Sequence, residues 1–270
     1  MYSLILTDID GTLLRDDLSI SPKTIEAFAR AREKGIRIVL SSGRYIQGMR
    51  FLAEELGLKD PIYSAINGAL IKDGNTIIRS ERIEKDAYTL AAKLLNREAK
   101  SITAFAENEY AIDSDDEWFE IQDKICRKPG VRMDIRDMDA VEKALKEPVY
   151  KILIKDDRSN VIKTLMARLE KPLEGKATLV TSASTNFEVL PLNTDKKNAV
   201  AALEQYLNIP REKMIAFGDW NNDLGMIQSV GMGIAMGNGS EEVKKSAKLI
   251  TKTNNEDGIY YALHDILNVI

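Results

Sequence analysis

The stretch Leu4-Ile5-Leu6-Thr7-Asp8-Ile9-Asp10-Gly11-Thr12 constrains this 270-residue chain more than any other. A short apolar run that ends in two acids suits a buried strand delivering carboxylates to its C-terminal edge, and in open α/β sheets that edge is where ligands bind. Side chains alternate along a strand, so Asp8 and Asp10 start on the same side unless the chain is already turning at Asp10, and Gly11 frees the backbone to turn sharply. Two carboxylates this close repel, so one takes up a proton or a cation sits between them. No basic residue precedes Arg15. An oxygen-seeking divalent ion such as Mg²⁺ is therefore the natural partner, and it favours a phosphate substrate that shares the metal.

The rest of the composition narrows the classes. A formal net charge of -4, with 30% charged residues, does not favour binding to nucleic acid or to an anionic membrane. A charged strand end comes too early for a signal-peptide apolar region, and no apolar run is long enough to span a bilayer, so the expected location is cytoplasmic. Cys126 is the only cysteine and His264 the only histidine. An intrachain disulfide is excluded, and Ser-His-Asp, Cys-His and His-rich zinc chemistries are poorly supported.

Along the chain, Ser21-Pro22 reads as an N-cap followed by proline at the first helical position, with Gly35 closing the helix. Ile36 to Leu40 is then a buried strand, so the opening is a βαβ unit and the fold class is α/β. The second strand ends in Ser41-Ser42-Gly43-Arg44, where a hydroxyl and glycine-freed amides meet a helix start; this is a phosphate cradle or an ordinary strand-to-helix turn. From about Ile83 the rhythm changes to a small α+β block that lasts to about Leu190. Lys196 then opens a helix, and the short apolar strand Met214 to Phe217 ends in Gly218-Asp219-Trp220-Asn221-Asn222-Asp223. Two α/β strands ending in acids some 200 residues apart are hard to explain as stability features, because clustered acids repel; a shared metal explains both. A lysine beside such a site could neutralise phosphate and hold the acids together, whereas Lys197 reads as a surface charge.

Asp8-Ile9-Asp10-Gly11-Thr12, Ser41-Ser42-Gly43-Arg44, Lys196 and Gly218 to Asp223 resemble, in that order, motifs one to four of the haloacid dehalogenase superfamily. Asn67-Gly68-Ala69 and the long insert before the lysine resemble the Cof-type phosphatases of subfamily IIB. The resemblance implies a Rossmann-like doubly wound core over residues 1–82 and 191–270, with a smaller α+β cap of C2B type inserted at 83–190. It implies a Mg²⁺-dependent phosphatase of small phosphorylated metabolites such as sugar phosphates, working through an aspartyl-phosphate. Asp8 would be the nucleophile and Asp10 the general acid and base. Asp8, the Asp10 backbone carbonyl, Asp219 and Asp223 would serve the metal, and Ser42, Gly43, Lys196 and Asn222 would hold the phosphoryl oxygens. Ser42 stands where threonine is usual, and Lys197 replaces a common glycine. A phosphomutase of the same superfamily, or a phosphoacceptor module, is the alternative.

Overall fold

The computed structural model describes residues 2–114 and 116–270. Contacts divide it into unit 1, Met1–Arg44, Met49–Arg79 and Asp195–Ile270, and unit 2, Tyr45–Gly48 and Ser80–Thr194.

The chain begins with strands β1 (Leu4–Thr7), β2 (Arg37–Ser41), β3 (Ile62–Ala65), β4 (Leu70–Asp73) and β5 (Thr76–Ser80). Helix Pro22–Glu33 links β1 to β2, with proline in its first turn and the Ser21 hydroxyl accepting from the Thr24 N–H at 3.1 Å, an N-cap that satisfies one orphan donor. Unit 2 follows with β6 (Ser101–Phe105), β7 (Tyr110–Ser114), β8 (Val131–Arg132), β9 (Lys151–Lys155), β10 (Ala177–Ala183) and β11 (Asn186–Pro191). The chain then returns to unit 1 as helix Lys197–Leu207 and strands β12 (Met214–Gly218), β13 (Met232–Ala235) and β14 (Leu249–Ile250).

In unit 1 the strand order is β14-β13-β12-β1-β2-β3-β4-β5, parallel from β14 to β3 and antiparallel from β3 to β4. This is the mixed α/β fold with a parallel core that the sequence implies. From β1 the chain builds outward to β2 on one side and later to β12 on the other. The crevice beyond the carboxyl ends of β1 and β12 is thus a topological switch point. Every residue of β1 and β12 is buried, as expected where helices cover both faces. Leu4, Leu6, Val39, Ile62 and Ala216 pack with Val200 and Leu203 of helix Lys197–Leu207. Each buried large aliphatic residue contributes roughly 1.5–3 kcal/mol, and together they fix where that helix begins.

Unit 2 is an α+β layer with strand order β10-β11-β9-β6-β7-β8. Alternate strand residues Ile102, Ala104, Ile152, Ile154, Phe187 and Val189 pack against apolar stripes of helices Lys85–Leu95 and Ser159–Leu173. Ile83 joins that core, and the Tyr45 ring lies tilted 5.1 Å from Phe105 and edge-on 6.1 Å from Tyr110. These contacts set the division at Arg79/Ser80 and Thr194/Asp195 and carry Tyr45–Gly48 into unit 2. Unit 2 also holds a helix at Met138–Leu145, which Asp137 caps by accepting from the N–H groups of Asp139 (3.0 Å) and Ala140 (3.3 Å).

Candidate active site

Thr7 pairs with Phe217, and the Asp8 N–H donates to the Phe217 carbonyl at 3.0 Å. Asp8 therefore lies alongside Gly218, and Asp219 follows one residue later at the end of the neighbouring strand. One oxygen each of Asp8, Asp219 and Asp223 lies within 4.8 Å of the other two. Lys196, fully buried at the start of its helix, holds this group together: its Nζ donates to Asp8 Oδ1 and, at 2.6 Å, to Asp223 Oδ1. Asp223 Oδ2 accepts from the N–H groups of Asp219 (3.0 Å) and Trp220 (3.1 Å). Both of its oxygens are thus engaged within the protein, which makes it a clamp on the loop. Asp219 Oδ1 accepts the Thr12 hydroxyl at 2.8 Å.

The electrostatics follow from burial. Desolvation, then the nearby Asp223 charge, pushes Asp8 well above the usual carboxylate range and raises Asp219 to about 6. Burial opposes the charge on Lys196, yet Asp223 and Asp8 more than offset it and hold its pKa above the ordinary value. Fully ionised, three carboxylates and one ammonium leave two uncompensated negative charges in a site nearly closed to water. An all-oxygen donor set with that excess suits a hard divalent cation better than a soft one.

Two glycines let the elements approach. Gly11, at φ +82°, is where an added Cβ would fall 2.5 Å from Asp219 Oδ2, and a Cβ on Gly218 would fall 2.5 Å from that of Asp223.

The structure separates Asp10 from the acidic group. The strand ends at Thr7 and the backbone enters a wide turn over Ile9–Leu13, so strand alternation no longer applies. The Asp10 carboxylate, 54% exposed, instead forms a two-pronged pair with Arg44, Nε to Oδ2 at 2.9 Å and Nη2 to Oδ1 at 2.5 Å. The carboxylates brought together are those of Asp8, Asp219 and Asp223.

Ser42 follows β2, is buried, and its hydroxyl accepts from the Arg44 N–H at 3.1 Å. Gly43 lies against Asn67, whose side-chain nitrogen would be 3.4 Å from a Cβ on Gly43. Asn222 donates from Nδ2 to Asn67 Oδ1 at 3.3 Å. Lys197 points away: its side chain is 59% exposed and pairs with Asp195 at 3.7 Å. Sequence reasoning did not single out Thr12 or Asn238. The Asn238 amide donates to the Gly11 carbonyl at 2.8 Å and accepts from the Asn254 N–H at 3.0 Å, contacts that no local pattern signals.

Comparison with known proteins gives the chain a family. The family model of haloacid dehalogenase-like hydrolases matches residues 5–263. The 5-amino-6-(5-phospho-D-ribitylamino)uracil phosphatase YcsE of Bacillus subtilis is 32% identical over 267 residues, covering 96% of this chain and 94% of that protein. A haloacid dehalogenase-like hydrolase from Bacteroides thetaiotaomicron superposes with TM-score 0.88 at 30% identity, over 98% of this chain and 100% of that one. The subclass IIB sugar phosphatase BT4131 shares the fold, with TM-score 0.82 over 99% of this chain and 100% of its own at 22% identity. The chain therefore belongs to the haloacid dehalogenase-like hydrolases, among relatives that are phosphatases.

Proposed function

We propose that the protein is a Mg²⁺-dependent phosphatase of small phosphorylated metabolites, namely sugar or polyol phosphates, that works through an aspartyl-phosphate on Asp8. The observation that carries this reading is the Asp8 carboxylate at the mouth of the switch-point crevice, bound on one oxygen by buried Lys196 and flanked by Asp219. A carboxylate in this setting is a nucleophile of the kind that splits ester hydrolysis into two easier steps.

An Asp8 oxygen attacks phosphorus and the ester P–O bond breaks. Asp10, released from Arg44 and carrying a proton taken from solvent, gives that proton to the leaving oxygen. In the second step Asp10 takes a proton from water, the water oxygen attacks phosphorus, and the P–O bond to Asp8 breaks, releasing phosphate and restoring the Asp8 carboxylate and the Asp10 acid. The Ser42 hydroxyl, the Gly43 N–H, Lys196 Nζ and the Asn222 amide hold the phosphoryl oxygens, so that fixed donors meet the charge in transfer. Asp8, Asp219 and the Asp10 backbone carbonyl, with Asp223 behind them, would hold Mg²⁺, whose charge would lower the repulsion between anionic nucleophile and anionic ester.

The substrate class rests on relatives: YcsE is named for a phosphorylated ribityl compound and BT4131 as a sugar phosphatase. No helix among the described residues is long and apolar enough to cross a membrane. A cytoplasmic location, where phosphorylated metabolites are kept, goes with this reading. The test is a panel of phosphorylated metabolites assayed for free phosphate with Mg²⁺ or with chelator. Release that needs Mg²⁺ and vanishes in folded Asp8→Asn supports the reading. Turnover by folded Asp8→Asn sinks the mechanism, and transfer of phosphate to another sugar hydroxyl without release would make the protein a mutase.

A further inference from the structure

Between β3 and β4 the backbone of Ile66, Asn67 and Gly68 takes three successive left-handed conformations, at φ +51°, +51° and +87°. Glycine does this freely and asparagine tolerates it, but for a β-branched isoleucine it is a genuine outlier. Such a conformation persists where surrounding contacts over-determine it. Those contacts lead to three of the segments that build the site. The Ile66 and Asn67 N–H groups donate to the Arg44 and Ser42 carbonyls at 3.0 and 2.9 Å. Asn67 Oδ1 accepts from Asn222 Nδ2, and the same amide group lies against Gly43. Gly68 packs so closely on the backbone before Lys196 that a Cβ there would fall 3.0 Å from the Asp195 carbonyl.

We infer that Asn67, 4% exposed at the centre of this turn, is a positioning residue that clips the Ser42–Gly43 segment to Asn222, so that their donors meet the phosphoryl group as one preorganised set. The inference rests on the phosphatase reading, which assigns those donors. Asn67 itself does not touch the ester. It acts through Asn222, whose amide would otherwise rotate, and through the Ser42 carbonyl, which fixes the plane of the following Gly43 N–H. Donors aimed before the reaction cost no reorganisation during it, and a small misplacement lowers turnover more than ground-state binding.

The test compares wild type, Asn67→Gly, Asn67→Asp, Asn222→Ala and the double variant Asn67→Gly/Asn222→Ala on the best substrate with Mg²⁺, with melting temperature recorded for each. Asn67→Gly keeps the left-handed backbone and the N–H to Ser42 but deletes the amide. It should lose roughly tenfold or more in kcat with KM little changed, as for removal of a transition-state interaction. The double variant should be no slower than Asn222→Ala, because the two residues act as one unit. Asn67→Asp keeps an acceptor for Asn222 but sets a negative charge beside the phosphate donors, so it should raise KM and the inhibition constant of inorganic phosphate, more at low salt than at high. Asn67→Gly with wild-type kcat, in a protein that Asp8→Asn silences, overturns the inference and leaves the phosphatase reading intact. Additive losses in the double variant overturn it as well. A wild type inert toward every phosphate ester overturns both.

Discussion

Lys196 and Asp223 form a direct, buried ion pair: Nζ lies 2.6 Å from Oδ1 and both side chains are fully buried. Removing one partner of such a pair leaves an uncompensated buried charge, at a cost of about 3–5 kcal/mol. Here the loss would leave three close carboxylates with no cation among them. Lys196→Ala should therefore melt on the order of 10 °C below wild type in chelator, given about 2–4 °C per kcal/mol for a chain of this size class. Mg²⁺ should recover part of that loss, while kcat/KM stays about 10²-fold or more below wild type for every substrate, since all present the same phosphoryl group. Thermal melts with and without Mg²⁺ check the first claim. An unchanged melting temperature would mean that Lys196 is not what holds the acids together.

Stability should depend on pH through Asp219. Burial, then Asp223, raises its pKa from 3.8 to about 6. A carboxyl whose pKa is higher in the folded than in the unfolded chain stabilises the fold below its unfolded value, and that contribution is lost as pH rises through the folded value. The window runs from 3.8 to about 6, and the metal-free protein loses on the order of 3 kcal/mol across it. Asp219→Asn lacks this titration. In chelator it should melt higher than wild type above about pH 6 and lose that advantage toward pH 4, whereas Mg²⁺ should reverse the order at neutral pH. A difference between the two proteins that stays constant with pH in chelator would contradict the electrostatics of the site.

Asp10→Asn should separate substrates by their leaving groups. An amide cannot donate the proton, so sugar phosphates, whose alkoxide leaves poorly, should lose on the order of 10²–10⁴-fold in kcat/KM. An aryl ester such as p-nitrophenyl phosphate, which leaves without protonation, should lose much less in its first step. Burst kinetics would then show slow breakdown of the phosphorylated enzyme, because the same residue activates water. Equal losses on both esters would count against Asp10 as the acid.

Much of this site was legible because each part carries a local sign. An apolar run closed by acids reads in the sequence as it stands at the ends of β1 and β12, and Lys196 reads as a helix start. The burial of Lys196 was not legible: a cation there opposes the helix dipole, and what overrides the penalty are Asp8 and Asp223, 188 and 27 residues away in sequence. Strand alternation places Asp10 beside Asp8 only while the strand lasts, and the turn at Ile9–Leu13 sends its carboxylate to Arg44. Ile66 is harder still. Its left-handed backbone runs against the preference of its own side chain, so only the packed surroundings explain it.

The last prediction separates the two demands on Gly11. At φ +82° an alanine is strained wherever it sits, and here its Cβ would also lie 2.5 Å from Asp219 Oδ2. Gly35 supplies the control: its φ is +79° and nothing lies within 4 Å of an added Cβ. Backbone strain alone should cost each variant a similar amount, about 1–2 kcal/mol, seen as a drop of a few degrees in melting temperature. Only Gly11→Ala must also push Asp219 outward, which weakens its bond from Thr12 and widens the group of acids that takes the cation. Gly35→Ala should therefore keep wild-type kcat and wild-type dependence on Mg²⁺. Gly11→Ala should need at least roughly tenfold more Mg²⁺ for half-maximal rate, as when a group orienting a metal ligand is lost, and should stay slower even at saturation. The measurement is a Mg²⁺ titration of the rate for wild type and both variants at matched distance below their melting temperatures. If Gly11→Ala and Gly35→Ala titrate alike, the close approach of Gly11 to Asp219 has no part in metal binding.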